Sequence, residues 1–210
     1  IRFLTSHPRD LTDELIQVVA DGRKVCPEIS LPAQAGHDRL LKRMGRPYTV
    51  VQYRRLVERI RQAIREVGLS TDVIVGFPGE TEEEYQGTRR LLEEMRFDVV
   101  HIAAYSPRPG TAATRLPDDV PSEVKEQRRQ ELEGLQEEVA AERNARFLGM
   151  DVEILVQDLH RGKWRGRTLQ GTWCFFANGH DWTGQLVRVR VNHTSAWSLQ
   201  AETIDHGMDP

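Results

Sequence analysis

Ser70-Thr-Asp-Val-Ile-Val-Gly-Phe-Pro-Gly-Glu80 decides the architecture, because an apolar run stops at a glycine-rich turn and an acidic helix start follows at once. Val73, Ile74 and Val75 are contiguous β-branched residues, the pattern of a strand covered on both faces in a parallel sheet. Gly76 and Gly79 allow torsions or close approaches that a Cβ would block, so this turn can come near a ligand. Thr81 followed by Glu84 is a capping box, which sets the helix boundary by local chemistry. A strand, a turn and a helix also occur as plain connections in α/β proteins, so the neighbouring segments must decide between a site and a link.

Outward from this stretch, the same alternation repeats. Ile1 to Leu4 reads as a strand and Asp10 to Val19 as a helix; Glu28 to Leu31 reads as a strand and Thr49 to Val67 as a helix striped by Tyr53, Leu56, Val57, Ile60, Ile64 and Val67. The helix after the opening turn runs from Thr81 to Met95, and Asp98 to Tyr105 is a fourth strand ending in Ser106-Pro-Arg-Pro-Gly-Thr111. Repeated β/α units imply right-handed crossovers, a parallel sheet and a ligand at the carboxyl ends of the strands. The four strand-end turns then share one face and carry Ser6, His7 and Pro8; Gln34 and Gly36; Gly76 to Glu80; and Ser106, Arg108 and Gly110. Their convergence favours a site over four unrelated connections.

Beyond Leu116-Pro-Asp-Asp-Val-Pro121 a charged bridging helix spans about 122–147, with Leu132, Leu135, Val139 and Phe147 as a thin apolar stripe. After Gly149 come short alternating runs at 152–156, 164–169, 173–176, 185–191 and 196–201, which fit a small antiparallel barrel. The expected organisation is a sheet-and-helix domain over 1–148, a barrel over 149–204 and a tail over 205–210.

Composition supports a folded chain without a global electrostatic partner. The 210 residues are 39% hydrophobic, and 29 basic against 32 acidic residues leave a net charge of -3, so any nucleic-acid face is local. No apolar run approaches the roughly 20 residues that span a bilayer, and the expected location is the cytoplasm, away from membranes. Cys26 and Cys174 are the only cysteines. They read as ordinary buried thiols, not as a disulfide framework or metal site.

Four segments in this order carry a specific resemblance: Thr5-Ser-His-Pro8; Leu31-Pro-Ala-Gln-Ala-Gly36 with Met44-Gly-Arg-Pro-Tyr-Thr49; Asp72-Val-Ile-Val-Gly-Phe-Pro-Gly-Glu-Thr81; and Tyr105-Ser-Pro-Arg-Pro-Gly-Thr-Ala-Ala113. Together they resemble the radical S-adenosylmethionine methylthiotransferases, over nearly the whole chain, and the tRNA-modifying branch in particular. The resemblance implies an α/β fold: part of a radical SAM (βα)6 barrel, followed by an OB-like antiparallel TRAM barrel that binds RNA. It implies addition of a methylthio group to C2 of N6-isopentenyladenosine in the tRNA anticodon loop. In that family a 4Fe-4S cluster cleaves S-adenosylmethionine to a deoxyadenosyl radical, a second cluster supplies sulfur and a second S-adenosylmethionine the methyl group.

The family's cluster cysteines have no counterpart here, and Cys26 and Cys174 lack neighbouring thiols. The expectation is therefore a carboxyl-terminal piece of a monomeric enzyme, with no catalytic or metal-binding residue of its own and no activity without the amino-terminal part. Ala35 and His37 stand where the family usually has serines, which changes the hydrogen bonding of that turn. The alternatives are the branches acting on ribosomal protein S12 or on threonylcarbamoyladenosine, a non-catalytic RNA-binding module, and an unrelated phosphate-binding α/β protein.

The candidate cofactor residues are Gln34, Arg46, Asp72, Gly76, Glu80, Tyr105 and Arg108. Gln34 can donate and accept, Arg46 can pair bidentately with a carboxylate or phosphate, and Arg108 is stiffened between two prolines. Asp72 can accept from cofactor hydroxyls, Glu80 lies at a helix amino terminus and Tyr105 can stack or hydrogen-bond; core and capping roles stand beside these for Glu80 and Tyr105. His7 reads as a turn residue rather than a base. In the barrel, Arg161, Lys163, Trp164, Arg165 and Arg167 form the candidate RNA row, with the cations alternating onto one face and Trp164, Trp173 or Trp182 available for stacking. Arg188 and Arg190 can extend it, whereas Trp197 reads as core.

Overall fold

The computed structural model describes residues 1–3, 7–22, 24–177 and 179–204. The expected parallel sheet is present, with three strands in the order β1 (Glu28–Ser30), β2 (Gly68–Val75) and β3 (Val99–Ala104). Helices α1 (Asp13–Asp21), α2 (Asp38–Arg43), α3 (Val50–Ala63) and α4 (Glu82–Met95) connect or precede them. Residues 1–3 form no strand; Ile1 offers one carbonyl to the Cys26 amide, and Leu4, Thr5 and Ser6 lie outside the described residues.

Local chemistry places the boundaries. Thr12 caps α1, and Thr49 with Gln52 and Thr81 with Glu84 close full capping boxes on α3 and α4. Helix α3 stops at Ala63, before the expected Val67, because Glu66 takes a left-handed conformation (φ 59°) that turns the chain into β2. Ile64 and Val67 are still buried, so the apolar stripe outlasts the helix. The sheet core gathers Ile29, Leu31, Val57, Ile60, Leu69, Val73, Val75 and Leu91 with Leu132 from the long helix that follows β3.

Helix α5 (Ser122–Ala145) runs along the sheet and leads to a closed barrel of β4 (Asp151–His160), β5 (Lys163–Thr168), β6 (Trp173–Phe176), β7 (Leu186–Thr194) and β8 (Leu199–Thr203), in the order β4-β5-β6-β8-β7. All five expected strands form, but the barrel is not wholly antiparallel: β6 pairs with β8 in parallel. Closure leaves no open edge among these strands. Arg143 and Arg146 of the helix end pair with Asp98 just before β3, and Asn144 donates to the carbonyls of Ser195 and Ala196. The barrel sits under the amino ends of the parallel strands, where Gln170 backbone packs on Gly68 so closely that a Cβ there would collide. No helix among the described residues is long and apolar enough to cross a membrane.

Candidate ligand cavity and basic barrel face

At the opposite end of the sheet lies a cavity of about 570 Å³, lined by residues of β2 and β3 and of the segments that follow all three strands. Five of the seven expected cofactor residues meet there: Gln34, Arg46, Asp72, Tyr105 and Arg108. Gln34 continues the line of β1 by bridging to Val73, with its amide on the Asp72 carbonyl, and holds a left-handed φ of 68°. Asp72 lies in register with His101 on β3, so both side chains face the cavity side of the sheet. Phe77 and Tyr105 pack edge to face, 5.2 Å between ring centres, as one wall.

Two polar groups here are buried without a partner, Arg46 Nε and the Tyr105 hydroxyl. A buried donor left unpaired costs about 1–3 kcal/mol, so a polar ligand that satisfied both would recover part of that cost.

Gly76 and Glu80 do not line the cavity. Glu80 is buried and serves the turn itself: its Oε2 accepts the Gly76 amide at 2.5 Å and Arg128 of α5 at 2.9 Å. Burial raises its carboxyl above the ordinary range, against the lowering effects of the Gly76 amide and the Arg128 guanidinium. Gly76, at φ 69°, packs on Lys125 where a Cβ would clash. Gly36 lies equally close to Gly87 of α4, and its amide donates to Thr88. His37 caps α2 through Nδ1, which is the role of that departure, and Ala35 is buried in the sheet core, while His7 likewise accepts the Arg9 amide in a turn.

Sequence reading missed α2, which positions the turn before Arg46, and missed Phe77, His101 and Thr111 in the cavity lining. His101 was within reach: the alternation Val99, His101, Ala103 marks one face of β3.

On the barrel, Lys163, Arg165 and Arg167 do share one face of β5, while Trp164, Gly166 and Thr168 point inward. Arg161 is in the β4–β5 turn at φ 50°, not in the strand. Trp164 is 9% exposed and packs in the barrel core, so it cannot stack on a base. The alternation that aligns the cations is what turns it inward. Trp173 lies beneath two of them, with the Arg165 and Arg167 guanidinium carbons 4.5 and 4.2 Å from its ring centre. Arg165 also pairs with Asp158, Lys163 donates to Gln200, and Arg190 pairs with Asp151. Trp197 reverses its expected place: it is 56% exposed at the turn before β8.

The chain's donor set does not fit an iron-sulfur cluster. Cys174 is enclosed in the barrel core as expected, where burial pushes its thiol up to about 12, but Cys26 is only half-buried, in the turn before β1.

Residues 1–92 match a family described as the Radical SAM superfamily. Over 204 residues the chain is 57% identical to tRNA-2-methylthio-N(6)-dimethylallyladenosine synthase of Roseiflexus sp. (strain RS-1), covering 95% of this chain and 43% of that protein. It is 54% identical over 204 residues to the synthase of the same name from Chloroflexus aurantiacus, again 95% of this chain and 44% of the relative. Against the Herpetosiphon aurantiacus synthase it is 49% identical, with 97% and 48% covered. The chain thus spans a little under half the length of these curated relatives. In fold it is similar to Escherichia coli coproporphyrinogen III oxidase, a radical SAM enzyme: TM-score 0.52 at 17% identity, covering 90% of this chain and 45% of that one. Residues 1–92 are therefore similar to the Radical SAM superfamily, and nearly the whole chain is similar to part of proteins named tRNA-2-methylthio-N(6)-dimethylallyladenosine synthase.

Proposed function

We propose that this chain is the cofactor-holding sheet and RNA-binding barrel of a tRNA methylthiotransferase that modifies N6-isopentenyladenosine at C2, with the barrel over 149–204 acting as a TRAM module. The observation that carries the reading is the cavity itself, where five resemblance-derived positions converge around two unpartnered buried donors. The residues fit S-adenosylmethionine: Arg46 and Gln34 can take its carboxylate and amino group, Asp72 its ribose hydroxyls, and Tyr105 with Phe77 the adenine. When bound to a reduced 4Fe-4S cluster, the cofactor supplies a deoxyadenosyl radical. The cluster ligands come from the remainder of the enzyme, not from Cys26 or Cys174. The cavity walls hold and orient the cofactor, and the apolar side chains among them limit water.

Calorimetry with S-adenosylmethionine and filter binding with a tRNA anticodon stem-loop test the two halves separately. Saturable binding in both is expected, and Arg46→Ala should weaken the first alone. No cofactor binding, or stoichiometric iron-sulfur spectra from this polypeptide after reconstitution, would overturn the assignment.

A further inference from the structure

The turn after β2 and the loop after β3 meet directly where Phe77 packs on Tyr105, and they are also joined through a residue from neither. Lys125, in the first turn of α5, has a side chain only 10% exposed. Its stem fills the space over Gly76, its Nζ lies 2.5 Å from Asp118 Oδ1 and 3.5 Å from the Tyr105 carbonyl, and it covers the Tyr105 ring at 5.3 Å. Next to Asp118, Asp119 Oδ1 accepts the Gly79 amide at 2.6 Å. The loop that carries Arg108 is thereby tied at its far end to the Gly-Phe-Pro-Gly turn, and both are tied to α5. A largely buried ammonium sacrifices hydration, and its carboxylate, carbonyl and ring contacts offset that cost only in one arrangement of the three segments.

We propose that Lys125, with Asp118 and Asp119, is the positioning centre of the cavity: it fixes the Gly76–Gly79 turn and the loop carrying Arg108 against α5, and so holds the Phe77–Tyr105 wall in place before any ligand arrives. The proposal rests on the reading of this cavity as the S-adenosylmethionine site. Preorganised walls spare the ligand the cost of ordering a loop, so losing the tie shows in affinity more than in fold.

Lys125→Met keeps the stem over Gly76 and removes the charge. Amide hydrogen exchange should rise about tenfold in residues 106–116 and at Gly79, with β2 and α4 unchanged, because the loop opens locally without global unfolding. Affinity for S-adenosylmethionine should fall roughly tenfold at a near-constant melting temperature. Lys125→Arg should restore part of it, and Asp119→Asn should speed exchange at Gly79 even if Lys125→Met folds poorly. Unchanged exchange in these variants overturns the tie, and faster exchange with unchanged affinity overturns its role in positioning. A wild-type chain that fails to bind the cofactor defeats the reading of the cavity instead, and the exchange results still decide the tie.

Discussion

The cavity and the basic barrel face use charge in opposite ways. Behind the cavity walls, where α5 meets the turn after β2, the charged groups are buried and committed: Glu80 and Arg128 are each under 10% exposed, and Lys125 is enclosed by the segments it joins. On the barrel Arg165 and Arg190 lie at the surface, opposite Asp158 and Asp151. Buried pairs fix backbone walls and leave recognition to a few unpaired donors. Surface cations over an aromatic ring keep an even-handed attraction for phosphate, at little cost to the fold. On the proposed function, one region recognises shape and the other attracts charge.

The largest effect that separates them comes from the barrel core, which is small. Phe176 is 1% exposed among ten buried residues, and Phe176→Ala should cost about 3–5 kcal/mol. Because Phe176 is remote from the sheet core, cofactor binding should survive while stem-loop binding disappears. Thermal unfolding followed by calorimetry checks this. Loss of both activities together would mean that the two regions are one cooperative unit.

A smaller effect distinguishes charge from shape. Arg165→Glu with Arg167→Glu removes two cations from the face over Trp173 and should weaken stem-loop binding by at least tenfold at low salt. Raising salt from about 50 to 200 mM should weaken wild-type RNA binding steeply and leave cofactor binding nearly unchanged. Titrations at several salt concentrations decide it; equal salt slopes for the two ligands would erase the contrast.

Much of this contrast is visible in the sequence because local rules govern it. The run Val73 to Val75, the turn at Gly76 and the Thr81–Glu84 box each depend on neighbours within a few residues, and all form as read. The five barrel strands follow from period-two alternation. Helix α2 has only six residues, too few for a periodic stripe, and its cap is a histidine. Glu80 misleads because its partner, Arg128, is 48 residues away, and the parallel β6–β8 pairing is likewise set by closure rather than by any local pattern. Trp164 was decidable from its own alternation with Arg165 and Arg167. Trp197 was not, since a turn residue has no face that the sequence can assign.

Glu84 gives the smallest effect and the finest test of how the cavity end is held. Its carboxylate closes the capping box on the Thr81 amide and takes Arg39 and Arg43 from α2, so one side chain ties α4 to the helix preceding Arg46. Burial pulls its pKa up, but the hydrogen bonds from Arg39 and Thr81 and the charges of Arg43 and Arg39 outweigh that and hold it below the ordinary value. A carboxyl with a lowered folded pKa contributes stability that is present above its unfolded pKa of about 4.3 and is lost as pH falls through the folded value. Glu84→Gln should therefore cost about 1–2 kcal/mol at pH 7, and the deficit relative to wild type should shrink below about pH 4. Denaturant unfolding of both proteins across that range measures it. A deficit that stays constant down to pH 2 would show that the amide loses only packing, and that the ion pairs with α2 contribute nothing to holding the turn before Arg46.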